Sequence, residues 1–389
     1  MRGSIGPLAM SAVVALAFGC NALLGNEERY PEDGTLGDGG ALGDGAGGGK
    51  DEQLDPQNAP CTTDLESDRK NCGACGHDCL GGACNAGKCQ PFLVTQGQTQ
   101  PSNLVIDNGV AFWTNQVGTV HRCEVASCNG APKYLTGIDA GNETPGGLAV
   151  YGSDLFVLGY YSMAIDRCPI TGCTLPMRIA QDLDYPNGIT ADANGIYVMS
   201  ANGGWVSKCA LPDCAGGPTR IATRTTAGEV WQQFAADETN LYWVGGPNNQ
   251  FNAAFIWRAK KTLVNGAPEE VAKNVLNPVA LYARDKFLYV VENTTKIYRI
   301  AQTPGAARID LVTNEKGAFG VVADDKYAYW MTGTSGTPPG AIRRCALAGC
   351  NNAAETIVEG QNSLSALVVT DKALYWTEFG AGTVKGLAK

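Results

Sequence analysis

Few residues in this chain could do chemistry. Its 389 residues hold two histidines, His77 and His121, and fifteen cysteines. Two carboxylates, Glu292 and Glu378, directly follow aromatic segments. Histidine is the usual general base near neutral pH, and a carboxylate serves as acid, base or nucleophile when a fold aims it into a cleft. Neither HExxH nor GxSxG occurs. His77 lies among cysteines, and His121 lies in an apolar-x-basic segment, so catalysis by histidine is not expected. Ser67-Asp68-Arg69-Lys70 matches SxxK with no supporting motif. Gly43, Gly45 and Gly48 match a dinucleotide fingerprint, but no strand precedes them and no helix follows. No cofactor and no metal are therefore expected. Net charge −9 argues against nucleic acid as a partner, because that requires a basic face.

The cysteines divide into three sets. Cys20 stands alone, six lie from Cys61 to Cys89, and eight form four Cys-x4-Cys pairs: Cys123/Cys128, Cys168/Cys173, Cys209/Cys214 and Cys345/Cys350. Six cysteines in 29 residues replace a hydrophobic core with cross-links. Zinc is the alternative there, since Cys72-x2-Cys75 with His77 and Cys79 has ligand-like spacing. An oxidising compartment favours three disulfides, with the pairing left open. Local pairs at matching places in a repeat are expected to be disulfides as well.

The amino terminus points to that compartment. Arg2, an apolar run from Leu8 to Phe18, and then Gly19-Cys20 have the form of an export signal. The run is too short to span a bilayer, which takes about 20 residues. Leu16-Ala17-Phe18-Gly19-Cys20 resembles a bacterial lipobox, with Phe18 where a smaller residue is usual. The resemblance implies that Cys20 is lipidated and becomes the first mature residue, and Asn21 in place of Asp weakly favours the outer membrane.

The elements that must position any site follow in order. Residues 1–19 read as a lipoprotein signal peptide and 20–59 as a flexible Gly/Asp-rich tether. The stretch from Asn21 to Ala59 has nine acids and two bases, and it carries most of the net charge. Residues 60–90 form a Cys-rich disulfide module, whose NCGACG resembles short modules of predicted surface lipoproteins. Residues 91–389 repeat. Seven aromatic segments are centred on Phe112, Phe156, Tyr197, Tyr242, Tyr289, Tyr329 and Tyr375, spaced 44, 41, 45, 47, 40 and 46 residues apart. A period of 40–47 residues built from short strands predicts a β-propeller.

Each unit reads as four strands. Strand A is apolar and small, strand B is the aromatic segment, strand C ends apolar-x-basic (Val120-His121-Arg122, Ile297-Tyr298-Arg299), and strand D is short. The last unit stops after strand C. Phe92-Leu93-Val94-Thr95 therefore supplies its strand D. The prediction is an all-β, seven-bladed β-propeller closed by an N-terminal strand and preceded by a small disulfide-rich module. Phe112-Trp113-Thr114-Asn115 and Tyr375-Trp376-Thr377-Glu378 resemble YWTD-type and NHL-type propellers. Asn115 and Glu378 stand where that family has Asp, and seven units replace its usual six, so the family's partners do not carry over.

Strand alternation places the Cys-x4-Cys staples and the entering chain on one face. The opposite, free face carries the longer connections. Its candidate ligand residues are Tyr160, Tyr161, Asn202, Trp231, Gln232, Asn249, Phe251, Glu378 and Phe379, because rings stack and amides hydrogen-bond. The expected function is an exported, lipid-anchored, monomeric recognition or scaffold module for a protein, peptide or glycan at the cell envelope. The alternative is an exported lyase or hydrolase that uses Glu378 or Glu292 at the channel mouth.

Overall fold

In the computed structural model the chain is described over residues 64–128, 130–137, 145–224, 229–247, 251–334 and 337–389. Cys20, Cys61 and Asn249 lie outside the described residues, as do the signal and the tether.

Seven four-stranded antiparallel sheets follow one another. The first runs Pro101–Asp107, Val110–Asn115, Thr119–Glu124 and Lys133–Gly137 as strands A to D. The seventh runs Leu364–Val369, Ala373–Glu378 and Thr383–Ala388, and its strand D is Phe92–Thr95 from the other end of the chain. Innermost strands adjoin around the ring, and strand A of blade 7 meets strand A of blade 1. Thr377 Oγ1 donates to the Ser102 carbonyl across that junction at 3.1 Å. The predicted ring and its closure are both present. Closure gives blade 7 the same four strands as the others, with strand D as the outer edge of each blade.

The aromatic period has a packing cause. The aromatic segments are strand B of each blade, where Trp113, Trp243, Trp330, Trp376, Tyr197 and Tyr242 are wholly buried between neighbouring sheets. A large aromatic side chain buried once per sheet supplies most of the apolar area that a thin blade can hide. Small residues on strand A are explained by the next blade more than by the channel. A side chain at Gly188 would strike Phe234 of blade 4, and one at Gly146 would strike the Pro186 carbonyl of blade 3.

The apolar-x-basic ending of strand C is explained by register. Each base lies opposite a strand B aromatic: Arg122 opposite Phe112, Lys208 opposite Tyr197, Arg299 opposite Tyr289. Arg122 then reaches the Ile170 carbonyl of the next blade, and Arg258 reaches that of Gln302. These bases join adjacent blades while their stems cover aromatic rings.

Residues 64–90 form a separate small module with one two-residue hairpin, Cys84–Asn85 against Lys88–Cys89. Cys72–Cys84 and Cys79–Cys89 are disulfides, and Cys75 is also disulfide-bonded. Leu80 and Cys89 pack on the propeller core. Among the described residues, no helix is long and apolar enough to cross a membrane.

Candidate functional site

Strand order settles the two faces. The A–B and C–D connections lie on one face, and the B–C and D–A connections on the other. All four predicted staples, Cys123–Cys128, Cys168–Cys173, Cys209–Cys214 and Cys345–Cys350, are disulfides in C–D connections. A second device repeats on this stapled face. The A–B turn aspartates Asp192, Asp237 and Asp324 accept from backbone N–H groups two residues on, and each accepts the hydroxyl of the strand B tyrosine five residues on. Lys261 and Lys389 add ammonium groups to Asp192 and Asp324 at 2.6 and 2.7 Å. The Cys-rich module enters on this face, because Phe92 begins its strand opposite Gly386, near the end of strand C.

The free face gathers a platform of aromatic side chains. Tyr160 and Tyr161 lie in the B–C connection of blade 2, with ring centroids 5.1 Å apart and planes at 87°. Tyr185, from the D–A connection into blade 3, places its ring 5.5 Å from that of Tyr160. Tyr161 is 60% exposed and Tyr185 36%. Burial first, and then the neighbouring phenols, raise the titration of Tyr160. The backbone around it follows the loop geometry of the repeat. Met163, Asp182, Asp184 and Tyr185 have φ between 51° and 59°. Gln100, Asn277 and Ser363, which like Tyr185 directly precede strand A, are left-handed as well, so this geometry belongs to the repeated connection. Asp182 and Asp184 are exposed beside the rings.

From Tyr185 the face continues as a chain of backbone bonds. The Ala201 N–H donates to Tyr185 O at 3.2 Å, and the Trp231 N–H donates to Ala201 O at 3.3 Å. Exposed Asn202 sits beside Ala201, its carbonyl held by Arg224 at 2.9 Å. Blades 2, 3 and 4 therefore present one continuous arc.

Not every sequence candidate belongs to this arc. Trp231 is wholly buried, with its ring 4.7 Å from that of Trp243. It cannot stack on a ligand from solvent, which corrects its assignment to the ligand face. Trp231 stands 11 residues before the central aromatic Tyr242, where other blades have Pro101, Pro145, Pro186 and Pro278, and all four prolines are buried as well. Gln232 is half-buried and donates to the Pro278 carbonyl of blade 5 at 3.4 Å. Phe251 packs against the core of blades 4 and 5. Phe379 is half-buried with its N–H on Ser363 O at 2.8 Å, distant in ring order from blades 2 to 4.

The two candidate acids are held in structural bonds. Glu378 is 2% exposed and accepts from Lys385 at 2.7 Å, Thr383 at 2.5 Å and the Asn362 N–H at 2.7 Å. Burial opposes its ionisation, but these donors outweigh burial and hold the carboxyl below its ordinary range. It stays a carboxylate and makes a poor proton donor. Glu292 is 1% exposed and pairs with Arg308 at 2.9 Å. His121 stacks on Trp113 at 5.8 Å, and burial lowers its titration, so it is a neutral strand residue. The one group of possible metal ligands among the described residues is Cys72, Cys79 and Cys89, and their sulfurs are taken by disulfides.

A scan against protein-family models finds no match, and neither does a search of curated proteins. Solved structures do match. Virginiamycin B lyase from Staphylococcus aureus aligns at 16% identity with a TM-score of 0.61, covering 77% of this chain and 98% of that one. A streptogramin B lyase aligns at 18% with a TM-score of 0.59, covering 77% and 96%. YCF48 bound to D1 peptide aligns at 11% with a TM-score of 0.57, covering 77% and 96%. The likeness is one of fold. It places this chain among seven-bladed propellers that include both lyases and a peptide binder.

Proposed function

We propose that this protein is an exported, lipid-anchored propeller that recognises a partner at the cell envelope through its free face. In this reading Cys20 carries the lipid, the tether and Cys-rich module hang from the stapled face, and the blades are of the YWTD/NHL kind. The platform of Tyr160, Tyr161 and Tyr185 carries the reading. Exposed rings on the face opposite the entering chain suit contact with a partner. The disulfides support an exported life.

The lyase alternative has less support. One variant of the staphylococcal lyase with a histidine replaced by alanine is described as catalytically inactive. The propeller of this chain holds His121 alone, and that ring stacks on Trp113 in strand C. Glu292 and Glu378 are consumed by ion pairs.

The test places a photo-crosslinking residue at Tyr161 and, separately, at Leu175 on the stapled face, in the full chain in its own cell envelope. A defined adduct from position 161 and none from 175 supports the reading. Equal labelling from both positions, or none from 161, counts against it.

A further inference from the structure

We infer that the Cys-rich module is a thiol-operated disulfide switch. Its interleaved pairs, Cys72–Cys84 and Cys79–Cys89, exchange for a second pairing, Cys72–Cys79 with Cys84–Cys89, and the exchange loosens the module's dock on blade 7. The switch goes beyond recognition at the free face and does not depend on it.

Two observations place the four sulfurs for this exchange. The first is crowding. The Sγ atoms of Cys72, Cys79 and Cys89, drawn from both disulfides, all lie within 4.8 Å of one another. Exchange requires a thiolate to reach a sulfur of another bond. Among the described residues no propeller staple has a third sulfur so near, because each sits in its own blade.

The second is hairpin register. Cys84 and Cys89 are direct partners across the hairpin. The Gln90 N–H donates to Ala83 O at 2.7 Å. The neighbouring Cys84/Cys89 pair is therefore a non-hydrogen-bonded one, in which side chains stand closest. Its typical Cα separation of about 4.5 Å lies within the span of a disulfide. Four cysteines allow three pairings. The third, Cys72–Cys89 with Cys79–Cys84, has no such register behind it.

The steps balance with no net oxidant or reductant. Cys72 and Cys79 are wholly buried, and half-buried Cys89 packs on the propeller core, so half-buried Cys84 is the point of entry for a small external thiol. The external thiolate bonds Cys84 Sγ, the Cys72–Cys84 bond breaks, and Cys72 leaves as a thiolate. Cys72 bonds Cys79 Sγ, the Cys79–Cys89 bond breaks, and Cys89 leaves as a thiolate. His77 Nε2 stands 4.0 Å from Cys89 Sγ, within reach of that charge. Cys89 then bonds Cys84 Sγ and expels the external thiolate. Two disulfides enter the sequence and two leave it.

The change of pairing matters to the dock. In the interleaved pairing two bonds join residues 72–79 to the hairpin that leads into Phe92–Thr95. In the second pairing none does, since each bond closes within its own segment. His77, whose Nε2 lies 2.6 Å from Lys389 O, belongs to the segment that is set loose.

The experiment uses the full oxidised chain in detergent with a catalytic amount of glutathione. Samples are quenched in acid, free thiols are alkylated, and disulfides are mapped by mass spectrometry. Hydrogen exchange of residues 72–89 is followed in parallel. The expected result is that Cys72–Cys79 and Cys84–Cys89 peptides appear together, with the four staples kept, no net gain of free thiol, and faster hydrogen exchange in residues 72–79. Native pairs that persist, or that convert only to free thiols, overturn the switch. So does the third pairing in equal amount. The second pairing with unchanged hydrogen exchange overturns the loosening of the dock. Cys84→Ser tests the internal step without added thiol, because Cys72 then starts free. Cys72–Cys79 with an alkylated Cys89 is expected, and an intact Cys79–Cys89 bond with Cys72 alone alkylated counts against the proposal. A cooperative thermal transition confirms that the variant's propeller folds.

Discussion

His77 and Lys389 touch across 312 residues of sequence: the imidazole Nε2 lies 2.6 Å from the Lys389 backbone oxygen. On its other side, Nδ1 lies 2.6 Å from Cys72 O. Both neighbours are backbone oxygens, and the ring bridges them. The ring thus ties the Cys-rich module to the last strand of blade 7. Replacing His77 with Ala removes that tie and leaves the disulfides in place. One such bond is worth about 1 kcal/mol, so hydrogen exchange in residues 72–89 is expected to rise roughly fivefold, with blades 2 to 4 unchanged. Unchanged exchange in the module would show that packing of Leu80 and Cys89 alone holds it.

The staples close short loops. Cys345 and Cys350 are five positions apart, and cross-linking so short a loop is worth about 2 kcal/mol by loop entropy. Cys345→Ser with Cys350→Ser is expected to lower stability by that amount in a denaturant titration, with the ring intact. A reductant should weaken the wild type and have less effect on the double variant.

Acid is expected to weaken the ring through named groups. Burial opposes ionisation of Asp324, but Lys389, the N–H groups of Lys326 and Tyr327, and the Tyr329 hydroxyl outweigh it, so its carboxyl lies below the usual range. Glu378 behaves alike. For a carboxyl lowered on folding, the stabilisation is present above the unfolded value, about 4, and is lost as pH falls through the folded value. Melting temperature measured against pH should drop on the acid side. The drop should be smaller in Asp324→Asn, whose stability at neutral pH is already reduced. At the other extreme, burial and then the Asp192 carboxylate raise Tyr197, and burial and then the Asp237 hydrogen bond raise Tyr242. Stability held by neutral phenols is present below about pH 10 and is lost as pH rises through the folded values.

Trp231 and Tyr161 should separate folding from recognition. Trp231→Ala empties a fully buried site beside Trp243, a change that typically costs about 3–5 kcal/mol. Tyr161→Ala alters an exposed ring and should change stability by less than about 1 kcal/mol. Denaturant midpoints of the two variants, measured side by side, test the assignment. Similar midpoints would mean that Trp231 is not a core residue.

The ring was legible because each blade hides a large aromatic at a fixed place, and the spacing of Phe112, Phe156 and Tyr197 repeats that need directly. The closing strand was legible from the missing fourth strand after Ala388. The sequence aligns Trp231 with proline at position −11 in four blades, and only the structure shows that this position is buried. The same holds for the indole partners: Gln98, Glu315 and Gln361 stand 15 residues before Trp113, Trp330 and Trp376 and accept their N–H groups. Tyr185 was not legible. Its contact with Tyr160 joins two connections whose approach depends on how neighbouring blades sit, and no local period records that. Glu378 misled for the opposite reason. A lone acid after an aromatic strand looks available until the bases and hydroxyls of strand C are placed around it.

Closure of blade 7 by Phe92–Thr95 has a mechanical consequence. That strand lies antiparallel to Thr383–Ala388 and begins at the stapled face, so a pull on the chain ahead of it acts along the strand axis. Tension is then shared by the strand's backbone bonds at once, in shear, and does not unzip them singly. Behind that strand stand the Cys79–Cys89 cross-link and the His77 contact. Force arriving from upstream would meet the stiffest direction of one blade, while the loops of blades 2 to 4, far around the ring, stay undistorted.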